Sequence, residues 1–166
     1  MMEERLLTEY YKQISNKLDD IIPCEWERIV LFAEELEDVS FVTFYFYTSD
    51  GIVHHCGDIP EEYGIDSYSV DIGLFELTNI NKELLTEFKK ADEEIWYSYV
   101  FEICSDRRFK IKYNYEYDED MSLEEKENIW VYEELGLIPG SRYEKRILKK
   151  YLEEQGKELP EELKDI

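Results

Sequence analysis

Three consecutive residues, His54, His55 and Cys56, carry the side chains of a transition-metal site, and they include both histidines of the chain. On a strand, neighbouring side chains point to opposite faces, so only His54 and Cys56 are expected to converge, which is too few ligands for zinc. Asp58 or a distant carboxylate would have to complete the set, and two strand histidines beside a free thiol is the simpler reading. Carboxylates are abundant elsewhere, in the runs Glu34 to Asp38, Glu61 with Glu62, Asp92 to Glu94, Asp118 to Asp120 and Glu124 to Glu127. None has the spacing of a calcium loop, because no glycine follows Asp118 to Asp120 at the required position. With 41 Asp and Glu in the chain, some pair falls at glycosidase separation by chance, so no acid and base are inferred. The sequence has no G-x-S-x-G, P-loop or G-x-G-x-x-G pattern. No catalytic residue, cofactor or metal site is assigned.

Charge is more informative than motif. The 166 residues include 41 acids against 19 Lys and Arg, a formal net charge of −22 with a pI near 4.4. Such a field repels nucleic acid and anionic membranes, so neither is an expected partner and cationic proteins are favoured. The charge is also segregated. No Lys or Arg lies between Arg28 and Lys82, a stretch with eleven carboxylates, and in Glu116 to Glu134 Lys126 stands alone against nine. Arg142 to Lys157 is locally basic, with six cations and three acids. Uniform charge for solubility needs no such segregation, whereas recruitment of a basic protein would use it; a generally acidic protein whose segregation is accidental is the alternative from charge alone. Cys24, Cys56 and Cys104 are few, scattered and without a C-x-x-C, which suits reduced thiols. Glu3 and Glu4 stand where a signal peptide is basic, and no apolar run approaches membrane-spanning length, so a soluble cytoplasmic protein is expected.

The elements that must position any site can be read from periodicity. Leu7, Tyr10, Ile14, Leu18 and Ile21 form one stripe of a helix that Pro23 stops. From Glu27 the period becomes two, giving a strand that dies in the acidic turn Glu34 to Asp38. The aromatic strand Ser40 to Thr48 follows, and Asp50 with Gly51 turns into a third strand, Ile52 to Cys56. Beyond turns at Ile59 with Pro60 and Tyr63 with Gly64, a helix is marked by Ile80, Leu84, Leu85 and Phe88. Asp66 to Asn79 fits a strand, a loop or the first half of that helix, because Gly73, Asn79 and Asn81 interrupt the pattern. Strands are expected at Ile95 to Cys104 and Arg108 to Tyr117, the latter half-buried with Phe109, Ile111, Tyr113, Tyr115 and Tyr117 on one face. Ser122 with Glu125 starts a helix ended by Gly136, and Ser141 caps the last one. The fold class expected is α+β in the order α-β-β-β-α-β-β-α-α: an antiparallel sheet of about five strands with helices packed on one face. A single domain over residues 1–166 suits the length.

The order of these features resembles one family. The helix Tyr11 to Ile22 running through Pro23 and Trp26 into a strand at Ile29 resembles the start of the YezG-like immunity proteins. The strand Phe44 to Tyr47, the turn Ile59 to Ile65, the strand Trp96 to Ile103 and the strand Phe109 to Tyr117 are similar in turn. The resemblance covers nearly the whole chain and is weakest over Asp66 to Asn81. It implies an antitoxin that binds the toxic C-terminal domain of a cognate LXG-type secreted toxin, commonly a nuclease, in the producing cell, and so a protein that is not an enzyme. A nuclease grips polyanions in a basic cleft, where carboxylates can stand in for phosphates. The expected contact residues are Glu61, Glu62, Asp118, Glu119, Asp120, Glu124 and Glu125, with Tyr63, Tyr115 and Tyr117 as anchors, at least one of these tyrosines being a core residue instead. An adaptor for another basic partner and a carboxylate-based hydrolase are the alternatives, and self-association is left open.

Overall fold

The computed structural model describes residues 2–166, which separate into two compact units, one reaching Tyr117 and the other Asp118–Ile166. The first is built on a five-stranded antiparallel sheet: β1 (Arg28–Glu35), β2 (Ser40–Tyr47), β3 (Val53–His55), β4 (Ser98–Cys104) and β5 (Phe109–Asn114), in the spatial order β3-β2-β1-β4-β5. Paired on both sides, β1 is buried from Ile29 to Glu35. Helix α1 (Glu4–Ile21) buries Tyr10, Ile14, Leu18 and Ile21, one stripe at helical spacing, against this sheet. The short helix α2 (Ile59–Tyr63) follows β3 through one turn of 3-10 helix, and α3 (Ser67–Lys90) then crosses the sheet so that β4 lands beside β1. The α+β architecture and the order of elements agree with the sequence reading.

One apolar core joins α1 and α3 to a single sheet face. Ile29, Leu31 and Ala33 of β1, Phe44 and Phe46 of β2, and Tyr99, Phe101 and Ile103 of β4 supply that face, as the two-residue alternation of strands requires. Trp96 is wholly buried and meets Phe88 and Tyr99 edge-on, with ring centroids 6.3 and 5.4 Å away. Tyr99 donates to the Asn81 amide oxygen, which explains a buried asparagine in mid-helix; burial holds the Tyr99 hydroxyl well above its ordinary pKa.

One alternative left open by the sequence is resolved, and three local expectations need correction. The segment Asp66 to Asn79 is the first half of α3, begun by Asp66, whose carboxylate accepts the Tyr68 N–H at 3.0 Å. The turn after Ile59 is helical and closes at Gly64 in the left-handed region, φ +65°. Strand β5 ends at Asn114, short of Tyr115 and Tyr117. Glu34 and Glu35 do not belong to a solvated turn but to β1, and both are buried.

Glu35 accepts from Ser40 Oγ at 2.7 Å, and burial, only partly offset by that bond and by Lys82, raises its pKa. An acid raised in the folded state contributes most below its unfolded pKa of about 4.3 and loses that contribution as pH rises through the folded value. Glu35→Gln is therefore expected to raise the thermal midpoint at pH 7 and leave it unchanged at pH 4. Thermal unfolding at the two pH values checks this; an equal shift at both would contradict the burial account.

The second unit is a helical pair. Ser122 accepts the Glu125 N–H at 3.2 Å to start α4 (Leu123–Leu135), Gly136 at φ +69° ends it, and Ser141 accepts the Glu144 N–H at 3.1 Å to start α5 (Arg142–Glu154). Leu148 and Leu152 pack with Leu163, Tyr132 and Ile138. Tyr151 donates to Glu133 at 2.7 Å.

Candidate functional site

The corner formed by β3 and α2 gathers the sequence's metal candidates and part of its expected interface. Strand alternation would pair His54 with Cys56, but β3 stops at His55 and Cys56 opens the 3-10 turn. His55 and Cys56 therefore approach the same side chain, Thr43, whose Oγ1 lies 2.7 Å from His55 Nε2 and 3.7 Å from Cys56 Sγ. Desolvation lowers the His55 pKa and is only partly offset by Asp58. His54 faces the other way, stacked on Phe46 at 4.9 Å, with Nδ1 2.8 Å from Glu62 and Nε2 3.0 Å from Thr48. Among the described residues no group of three or more His, Cys, Asp or Glu is arranged to hold a metal ion.

This geometry divides the expected contact residues. Glu62 is engaged by His54, while Glu61 beside it is exposed. Tyr63 is half-buried against the core and accepts from the Cys24 thiol at 3.4 Å; that hydrogen bond, then burial, pushes its hydroxyl up to about 12. Tyr115 and Tyr117 are 39% and 42% exposed beyond the end of β5, with Tyr117 5.7 Å from the Tyr97 ring. Glu61 lies on α2, whereas Tyr115 follows β5, the edge of the sheet opposite β3. Asp118, Glu119 and Asp120 are exposed in a turn where Asp118 accepts the Asp120 N–H at 2.9 Å. Glu124 and Glu125 occupy the first turn of α4, where they also favour the positive end of its dipole.

An open groove of about 740 Å³ lies where α1 leads into β1. Its wall is held by Trp26, whose Nε1 donates to Asp19 at 2.9 Å while the Arg107 guanidinium sits 5.3 Å over its indole. Trp26 is thereby a structural post.

Sequence reasoning missed a set of exposed apolar residues. Tyr68, Ile72 and Phe75 of α3 are 67%, 38% and 64% exposed at i, i+4 and i+7, while Val70, Gly73 and Leu77 on the opposite side are buried. The signal was present as an apolar residue at each of those three positions, but no periodicity separates an outward stripe from an inward one.

The family described as Immunity protein YezG-like matches residues 7–149, a stretch that includes every strand of the sheet and runs into α5. The chain belongs to the YezG-like immunity protein family. Among its YezG-like relatives, a protein of Bacillus subtilis named Immunity protein YezG is 32% identical over 151 residues, covering 88% of this chain and 99% of the relative. The protein of the same name from Bacillus spizizenii is 31% identical over 156 residues, covering 91% and 96%. A Staphylococcus aureus protein named Type VII secretion system protein EsaG is 28% identical over 165 residues, covering 97% of this chain and all of the relative. Among the described residues no helix is long and apolar enough to cross a membrane.

Proposed function

We propose that this protein is the cytoplasmic antitoxin of a secreted LXG-type toxin, acting by binding the toxic C-terminal domain and not by catalysis. Family membership over residues 7–149 carries the reading, since both Bacillus relatives are named immunity proteins. The secretion-system name of the staphylococcal relative is consistent with a partner destined for export. Residues 1–166 act as one immunity-protein domain in this account. The toxic domain is a basic protein, most simply a nuclease: a net charge of −22 is matched by a partner built to hold polyanions. Co-expression in a heterologous host with the toxic domain encoded by the adjacent reading frame tests the role. Growth is expected to be restored; continued arrest with both proteins soluble would contradict it.

The acidic residues then act chiefly on encounter. Reversing Asp118, Glu119 and Asp120 to Lys changes the charge by two at each site and takes the net value from −22 to −16. Stopped-flow association with the toxic domain is expected to slow by about 10-fold at low ionic strength and to converge with the unmodified protein near 1 M salt, where the Debye length is about 3 Å. These three side chains are exposed, so the thermal midpoint should not fall. An unchanged rate at low salt would remove this cluster from the interface.

A further inference from the structure

The exposed stripe on α3 is anomalous for a chain this charged. A surface helix normally turns its polar residues outward, yet the N-terminal half of α3 directs Tyr68, Ile72 and Phe75 into solvent along one line. Each of the two rings offers roughly 150–250 Å² of contact area. The stripe is firmly seated, because the reverse side of the same turns is locked into the core by Val70 and Leu77 and pressed against Ile21 at Gly73. Such anchors are pre-organised and lose little freedom on binding. Beside them a groove of about 230 Å³ opens between α1 and α3, lined by Ile72, Val70, Ile65 and Pro23 and crossed by the Lys17–Glu76 ion pair.

The rim supplies the chemistry of the occupant. Asp71 is exposed within the stripe, Asp66 caps its start, and Glu61 is exposed on α2, which packs against α3. All lie in the stretch from Arg28 to Lys82 that has no Lys or Arg between its ends. A second copy of this chain would bring an identical acidic rim and another −22 charges to the same place, and nucleic acid would be repelled likewise. A protein surface with an apolar centre and a cationic border fits on both counts. We propose that Tyr68, Ile72 and Phe75 are the anchors on which the cognate toxin's toxic domain docks, with Glu61 and Asp71 facing its basic residues. This rests on the antitoxin reading and adds to it the docking face.

The test measures binding of the full-length protein to the toxic domain of the adjacent gene's product, inactivated for purification, by calorimetry, with growth rescue alongside. Phe75→Ala and Tyr68→Ala are each expected to weaken binding about 30-fold, the size of an interface hot spot, without changing the thermal midpoint. Tyr143→Ala, which removes a 63% exposed ring on α5, should stay within about 2-fold. If the unmodified protein binds and rescues while both α3 variants match it, the docking face is wrong and the antitoxin role stands. If the unmodified protein neither binds nor rescues, both are overturned. Sedimentation of the protein alone should show a monomer; a dimer that Phe75→Ala dissociates would make a second copy the occupant and overturn the proposal.

Discussion

Trp96→Ala is expected to destabilise the protein by about 3–5 kcal/mol, the usual cost of emptying a large buried aromatic site. Trp96 is fully buried, and its ring is boxed by Phe88 at 6.3 Å, Tyr99 at 5.4 Å and Tyr113 at 5.7 Å. Those partners come from α3, β4 and β5, so none can follow the missing ring without breaking its own register. The cavity therefore persists, and its cost sits near the upper part of that range. Trp96→Phe should cost much less, for two reasons. It keeps part of the volume, and it deletes an indole N–H that finds no acceptor among the described residues. Denaturant unfolding of the two variants checks the order; equal losses would show that cavity volume is not what matters there.

Gly73 carries the second large effect. A Cβ built at this position would lie 2.4 Å from Ile21 Cγ1 and 2.7 Å from its Cδ1, closer than carbon atoms can approach. In an exposed helix, Gly→Ala gains about 1 kcal/mol of propensity. Here overlap with α1 opposes that gain, and overpacking of this kind costs about 1–3 kcal/mol. Gly73→Val, with two more carbons and less propensity gain, should lose about 3 kcal/mol. Shortening the opposing side chain separates the two terms: in an Ile21→Ala background Gly73→Ala should become stabilising. If Gly73→Ala stabilises the unmodified protein, α1 and α3 do not approach as described.

The same contact explains what the sequence hid. Most of the fold was legible because β2, β4 and β5 are rich in aromatics, α1 and α5 each carry one apolar stripe, and Pro23 and Gly136 mark helix ends. The first half of α3 was not legible, because Val70 and Leu77 face the core while Tyr68, Ile72 and Phe75 face outward, so apolar residues fall on two sides of the wheel. Gly73 interrupts the apolar pattern, yet its missing side chain is what leaves room for Ile21 of α1. Cation-poor stretches were legible as charge, but charge does not say which carboxylates are solvated. Glu34 and Glu35 are buried in β1 and Glu62 is held by His54, whereas Glu61 and Asp118 to Asp120 remain exposed. The convergence of His55 and Cys56 on Thr43 was hidden by where β3 ends, a boundary one residue from the expected one.

The central claim is that this chain neutralises a toxin by holding its toxic domain. Titrating the purified protein into the purified active domain encoded by its neighbouring gene, while following the domain's enzymatic activity, tests it most directly. The account predicts that activity falls linearly to zero at a fixed stoichiometric ratio as a stable complex forms, and that Phe75→Ala shifts the curve to higher protein concentration. Full toxin activity in the presence of excess protein, with no complex on gel filtration, would contradict it.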